Sequence, residues 1–375
     1  MMLEEDGRAS MRAVSVASLF PIRSKRHARG GRYMARQWGL DILRIISMAA
    51  VVFIHAAAQF WSLTDVHSSD WMAMNAYDSA VRWAVPVFVM ISGALFLRPD
   101  CSQSIRRLYS KNIVRIVIVI LVWGFVYALF YHFPEDISVK SLWAFIKACL
   151  LGHFHMWFLF MIIGLYIVTP VLRCVTRDAV ATRYFLIVAF ICNSLLPFIT
   201  GFGHFSILDS LYTRGMISVP LGYSFYFVLG FWLNQHDFGK CRVGLSLAAI
   251  VLGYVMVFGL TCWASFDAGR GDTRFYDFFS LPVLLESVGV FVLVRGANVR
   301  SIRGRKVVSV MSGASLGVYL VHMLVMDALR NWFGLSTVAF NSVLAIPVTA
   351  ISVIAISFVL AVALRKIPVV GKYIV

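Results

Sequence analysis

Charge is scarce in this sequence. Asp, Glu, Lys and Arg make up 14% of its 375 residues, against about 25% in an ordinary soluble domain. So large a deficit excludes a soluble protein with a big core and points to a surface that meets lipid. Acidic residues are the scarcer sign, 18 against 34 basic ones, for a net charge of +16. In a membrane chain that excess is no nucleic-acid signature, because Lys and Arg gather on the cytoplasmic side and produce it alone. Cysteine is sparse too. Its six positions (101, 149, 174, 192, 241 and 262) show no CxxC or clustered spacing, so neither a disulfide framework nor a zinc site is indicated. HExxH and Walker patterns are absent, and the GxSxG string GASLG (313–317) sits inside an apolar run, not at the strand-to-helix turn that makes such a serine a nucleophile. Ser and Cys nucleophiles therefore find no support, and no metal is expected.

Apolar residues are abundant, at 60%. Ten apolar segments can be marked, near 41–61, 80–97, 113–132, 153–172, 183–200, 216–233, 243–264, 276–294, 307–328 and 338–364. Several are about 20 residues long, enough to cross a hydrocarbon core at about 1.5 Å per residue. The fold expected is all-α: a polytopic membrane protein of about ten transmembrane helices. With the N-terminus inside, the inner segments hold 27 of the 34 basic residues. The outer segments hold seven: Arg82, Lys140, Lys147, Arg214, Arg270, Arg274 and Arg330. This asymmetry places both termini in the cytoplasm and the chain in the cell's inner, or plasma, membrane. Trp38, Trp61, Trp71 and Trp232 suit interfacial belts, and no internal repeat is visible. The outer loop 61–79 is too short to fold alone.

Residues 1–37 read as a basic, disordered cytoplasmic tail, and 38–375 as the transmembrane domain. The apolar stretch Ala13 to Ile22 is too short to span. Arg23, Ser24, Lys25 and Arg26 follow it where a signal peptide would carry small residues. Met34 is an alternative start.

Ionisable residues within membrane helices are functional candidates by default. The first segment, LDILRIISMAAVVFIHAAAQFW, holds Asp41, Arg44 and His55. Arg44 and His55 are eleven residues apart, so they differ by about 20° around a helix and stand about 16 Å apart along it. Arg44 falls near the cytoplasmic interface and His55 beyond the midplane. An arginine there is suited to hold phosphate on a soluble cofactor. A deep histidine is suited to act as general base on a hydroxyl. The bland alternative has Arg44 snorkelling and His55 bonding a neighbouring helix.

Other candidates each carry two readings. Lys111 and Arg115, with Arg106 and Arg107, line a cytoplasmic entrance or simply follow the positive-inside bias. Arg82 contacts a substrate or pairs with Asp78 at i−4. Trp157 stacks on a sugar or anchors at the interface. His153 and His155 lie about 200° apart on a helix and make poor joint metal ligands unless the chain unwinds there. Glu286 binds substrate or pairs with an arginine. Tyr319 and His322, on adjacent turns, bind substrate or serve as polar glue between helices.

The Arg-x10-His pattern is followed in order by VPVFVMISGALFLRP (85–99), HMWFLFMIIGLYIVTPVLR (155–173), LGYSFYFVLGFWL (221–233) and SLGVYLVHMLV (315–325). This set resembles the acyltransferase-3 family of integral-membrane acyltransferases, over roughly 38–330. It is most similar to short members that lack an extra extracytoplasmic hydrolase-like domain and O-acetylate surface glycans. The resemblance implies acyl transfer from cytoplasmic acyl-CoA, usually acetyl-CoA, to a hydroxyl of a glycan or lipid-linked sugar. It makes His55 essential and gives Arg44 a part in acyl-CoA use. The family's Arg-x-x-Arg entering the third helix is replaced here: in LYSKNIVRIV, Asn112 stands for the first Arg, and Lys111 and Arg115 keep the basic character. A competing reading is a transporter without covalent chemistry, for which breaks at Pro86, Pro220, Pro282 and Pro347 are suited. The absence of paired interrupted helices in two corresponding halves counts against it. A catalytically idle partner in a glycan assembly complex is a third.

Overall fold

The computed structural model describes residues 37–99, 104–133, 138–202, 222–368 and 371. The proposed tail over residues 1–36, together with Cys101, Arg214, Pro220 and Lys372, lies outside the described residues. Among the described residues every regular element is a helix. Nine stretches among the described residues are long and apolar enough to cross a membrane, which makes the chain an all-α polytopic membrane protein.

The helices are α1 (Trp38–Ala57), α2 (Ser69–Ser79), α3 (Ala84–Phe96), α4 (Ile105–Tyr131) and α5 (Val139–Leu151). They continue with α6 (Trp157–Arg177), α7 (Ala179–Thr200), α8 (Ser224–Gln235) and α9 (Arg242–Ala268). The last three are α10 (Leu281–Val294), α11 (Ile302–Phe333) and α12 (Ser342–Lys366). The expected segment 216–233 corresponds to α8, described from Gly222 onward. Its 12 residues rise about 18 Å, less than a bilayer core. Pro282 starts a helix rather than breaking one, and Pro347 lies inside α12.

Two helices lie where loops were expected. The segment 61–79 contains α2, started by Ser68, whose side chain accepts from the Trp71 N–H. Its inner face buries Trp71, Met74, Asn75 and Asp78. That mixture of apolar and polar residues hides it from a hydropathy reading. Trp61 and Trp71, expected at the interface, are buried with ring centroids 5.5 Å apart. The turn between α2 and α3 follows from Pro86. A proline ring crowds the carbonyl four residues back, here Arg82, and offers it no N–H. The second unexpected helix, α5, buries no residue, and Leu142, Trp143, Ile146, Leu150 and Leu151 are exposed.

The mostly buried α1 sits between two apolar clusters. One joins Leu40 and Leu43 to Met90, Phe227 and Phe291. The other joins Met48 and Val52 to Trp123, Val318, Met326 and Val353. Backbones touch where α3 meets α8: a Cβ on Gly93 would lie 1.7 Å from the Phe227 carbonyl oxygen, and one on Gly230 2.1 Å from that of Met90. Both glycines fall within the motif segments. Outward faces such as Val117, Leu121 and Phe125 of α4, or Leu247, Val251 and Val255 of α9, are apolar and exposed at helical spacing, as lipid contact demands.

Candidate functional site

Residues 152–156 interrupt what would otherwise be one helix from α5 into α6. Gly152 takes the left-handed conformation (φ 68°) that a side chain disfavours, and a Cβ there would meet the Met156 sulfur at 2.8 Å. His153 follows in extended conformation, then a 3₁₀ turn over Phe154–Met156. The break lies deeper than the outer helix end expected from the sequence. A Cβ on Gly124, seven residues or about 10 Å below Tyr131 on α4, would lie 2.0 Å from the Cys149 carbonyl oxygen and 3.5 Å from Gly152.

The unwound turn brings histidines together. The His55 ring, half-buried in the last turn of α1, lies 5.1 Å from that of His322 and 6.4 Å from that of His155, between centroids. His155 and His322 are 5.0 Å apart. The Nδ1 atoms of His153 and His155 are 2.8 Å apart, so one donates to the other. His322 Nδ1 lies 2.6 Å from the Tyr319 carbonyl oxygen. A carbonyl only accepts, so Nδ1 carries the proton and Nε2 of the neutral ring presents a lone pair. Nε2 of both His155 and His322 is buried without a protein partner. A lone pair kept this way is suited to take a proton from a hydroxyl delivered to it. Among the described residues no group of three or more His, Cys, Asp or Glu is arranged to hold a metal.

Tyr319 serves the backbone of this turn. Its hydroxyl donates to the His155 carbonyl at 2.5 Å, tying the unwound segment to α11. Tyr127 of α4 donates to the Leu320 carbonyl of α11 at 2.9 Å and stacks on His153. Trp157 stacks on Phe278 with Tyr223 nearby.

At the other end of α1, Arg44 donates to Ser312 Oγ at 3.1 Å and pairs with Asp41 at 3.4 Å. Ser312 Oγ donates to Asp41 at 2.7 Å. Ser312 and His322 both lie on α11, ten residues apart, while Arg44 and His55 lie eleven apart on α1. Helices α1 and α11 therefore run parallel and meet at both points, about 15–16 Å apart along the axes. Lys111 lies in a π-helical stretch, Leu108–Ile113, with Arg115 just beyond, and both are exposed. Such stretches are rare and frequent at functional sites. Arg173 lies near this end too, donating to the Phe96 carbonyl at 2.9 Å.

Two expected site residues stand apart from the histidines. Arg82 pairs with the buried Asp78, as the i−4 reading has it, and lies 4.0 Å over the Tyr276 ring. Asn75 joins through Tyr276 and through Cys262 Sγ at 3.0 Å. Glu286 is buried between α9 and α10, where Gly253 makes room: a Cβ there would lie 2.6 Å from Glu286 Cγ. Its Oε2 has no protein partner.

The structure thus gathers His55 with His322, and with His155, which sequence reasoning set aside. The available signal was its place at the head of the motif HMWFLF. A helical projection separates His153 from His155; the unwound turn unites them.

A family model described as an acyltransferase domain (Acyl_transf_3) matches residues 37–362, from the start of α1 to the turn before the last in α12. No curated protein and no solved structure matches the chain.

Proposed function

The chain belongs to the acyltransferase-3 family, and from that premise we propose that it moves an acyl group, in the first place acetyl, from cytoplasmic acyl-CoA to a hydroxyl of a cell-surface or lipid-linked glycan. The donor enters at the end carrying Arg44, Lys111 and Arg115, the cytoplasmic one by the distribution of basic residues in the plasma membrane. Its phosphates rest against these cations. Its pantetheine arm follows α1 and α11 and delivers the thioester to His55. The acceptor hydroxyl arrives from the outer side. His55 takes the hydroxyl proton while the oxygen attacks the thioester carbonyl. The carbon–sulfur bond then breaks, and the departing thiolate receives that proton, so ester and thiol are the products.

One observation carries this reading: the parallel seam of α1 and α11, with an arginine at one end and a pair of imidazoles at the other. A pantetheine arm is of comparable length. Membranes carrying the full chain, given labelled acetyl-CoA and glycan from cells lacking the gene, test it. His55→Ala should cut transfer by roughly 10²–10⁴-fold, the usual worth of a general base. Arg44→Ala should chiefly raise KM for acetyl-CoA. Wild-type transfer by His55→Ala would sink the assignment. Glycan flux in proteoliposomes without acyl-CoA would place the chain among transporters instead.

A further inference from the structure

A recess of about 380 Å³ opens at the break between α5 and α6, lined by Leu151, Gly152, His153, Phe154, Trp157 and Phe160. That is many times the ~30 Å³ a water molecule takes up in the liquid. It opens toward the surroundings of the bundle. Leu151 and Phe154 are 56% and 62% exposed, apolar side chains on a face suited to lipid. On its inner side the Phe154 ring lies edge-on to His55, 5.7 Å between centroids. A single aromatic ring therefore touches the proposed base and also walls a pocket open to the bilayer.

From this we propose that Phe154 closes the acyl end of the donor site and sets the acyl chain length, with the recess behind it taking the distal carbons of longer chains. The inference rests on the acyl-transfer reading. The lining chooses between the two kinds of molecule that reach this depth. A lipid-linked acceptor would bring phosphate, and no Arg or Lys lines the recess. Its polar side chain, His153, is already bonded to His155. The other linings are apolar or glycine, which suits methylenes. A thioester held at His55 has its first carbons against Phe154. Beyond that ring the wall ends.

The experiment compares kcat/KM for acetyl-, butyryl- and octanoyl-CoA in membranes carrying the wild type, Phe154→Ala, Phe154→Leu or Phe154→Trp, with the same glycan acceptor. The ratio between donors within one variant does not depend on how much of it folds. Phe154→Ala should raise the octanoyl-to-acetyl ratio by at least about tenfold, the lower end of what one methylene is worth in an apolar pocket. Phe154→Leu should give a smaller rise, and Phe154→Trp should lower the butyryl-to-acetyl ratio. Unchanged ratios in variants that still transfer acetyl would overturn the proposal and leave acyl transfer standing. A wild type inert with every donor would overturn the acyl-transfer reading, and this proposal with it.

Discussion

His322 offers two nitrogens of different character. Nδ1 is spent on the Tyr319 carbonyl, while Nε2 is buried and unpartnered. Leaving such a group unsatisfied costs about 1–3 kcal/mol. The fold bears that cost twice around His55, at His155 and at His322, where a reacting hydroxyl would relieve it. His322→Gln should therefore lower kcat by about 10²-fold with little change in the thermal midpoint. A wild-type kcat would remove His322 from the chemistry and leave it as packing. Arg82 poses the opposite case. Its guanidinium neutralises Asp78, whose side chain is 1% exposed. Arg82→Ala strands that carboxylate and should destabilise the protein by about 3–5 kcal/mol. Removing Asp78 as well should restore much of the loss. If instead the single variant keeps its thermal midpoint and loses only acceptor affinity, Arg82 is a substrate contact.

At the scale of elements, the spans were legible and the interruptions were not. Long apolar runs reveal α1, α4 and α9 because hydropathy averages over a full crossing. The common face of Arg44 and His55 follows from helical geometry, since α1 is unbroken. By contrast, α5 is 13 residues long and carries Lys140 and Lys147, so it reads as loop. The break after it depends on Gly152 at positive φ and on Tyr319 reaching across from α11, a contact 164 residues distant. No local pattern encodes that meeting, which is why His155 was not placed beside His55. The break itself is testable. Gly152→Ala forces a Cβ toward Met156 and disfavours the left-handed turn. It should reduce acetyl transfer by shifting His153 and His155, whereas Gly244→Ala, with open space around its Cβ position, should leave transfer intact. Equal activity in the two variants would show that the turn tolerates a helical conformation.

For the whole molecule, direction remains the decisive quantity, because the proposed chemistry needs acyl-CoA at the Arg44 end. Helices α1 and α11 run the same way, which alternating crossings require when α8 is counted as one and α11 is the ninth. Their contacts fix relative direction alone; only the charge asymmetry says which end faces the cytoplasm. That asymmetry predicts the accessibility of particular thiols. Cys241 is exposed, one residue before α9, on the side assigned to the cytoplasm. Asp267 is exposed in the last turn of the same helix, about 39 Å away along it, enough to reach the opposite face. In intact cells a membrane-impermeant maleimide should leave Cys241 unmodified, and after permeabilisation it should label it. A cysteine introduced as Asp267→Cys should react in both conditions. The inverse pattern would put Arg44 outside, away from cytoplasmic acyl-CoA, and no rearrangement within the bundle could then deliver the donor along α1 to His55.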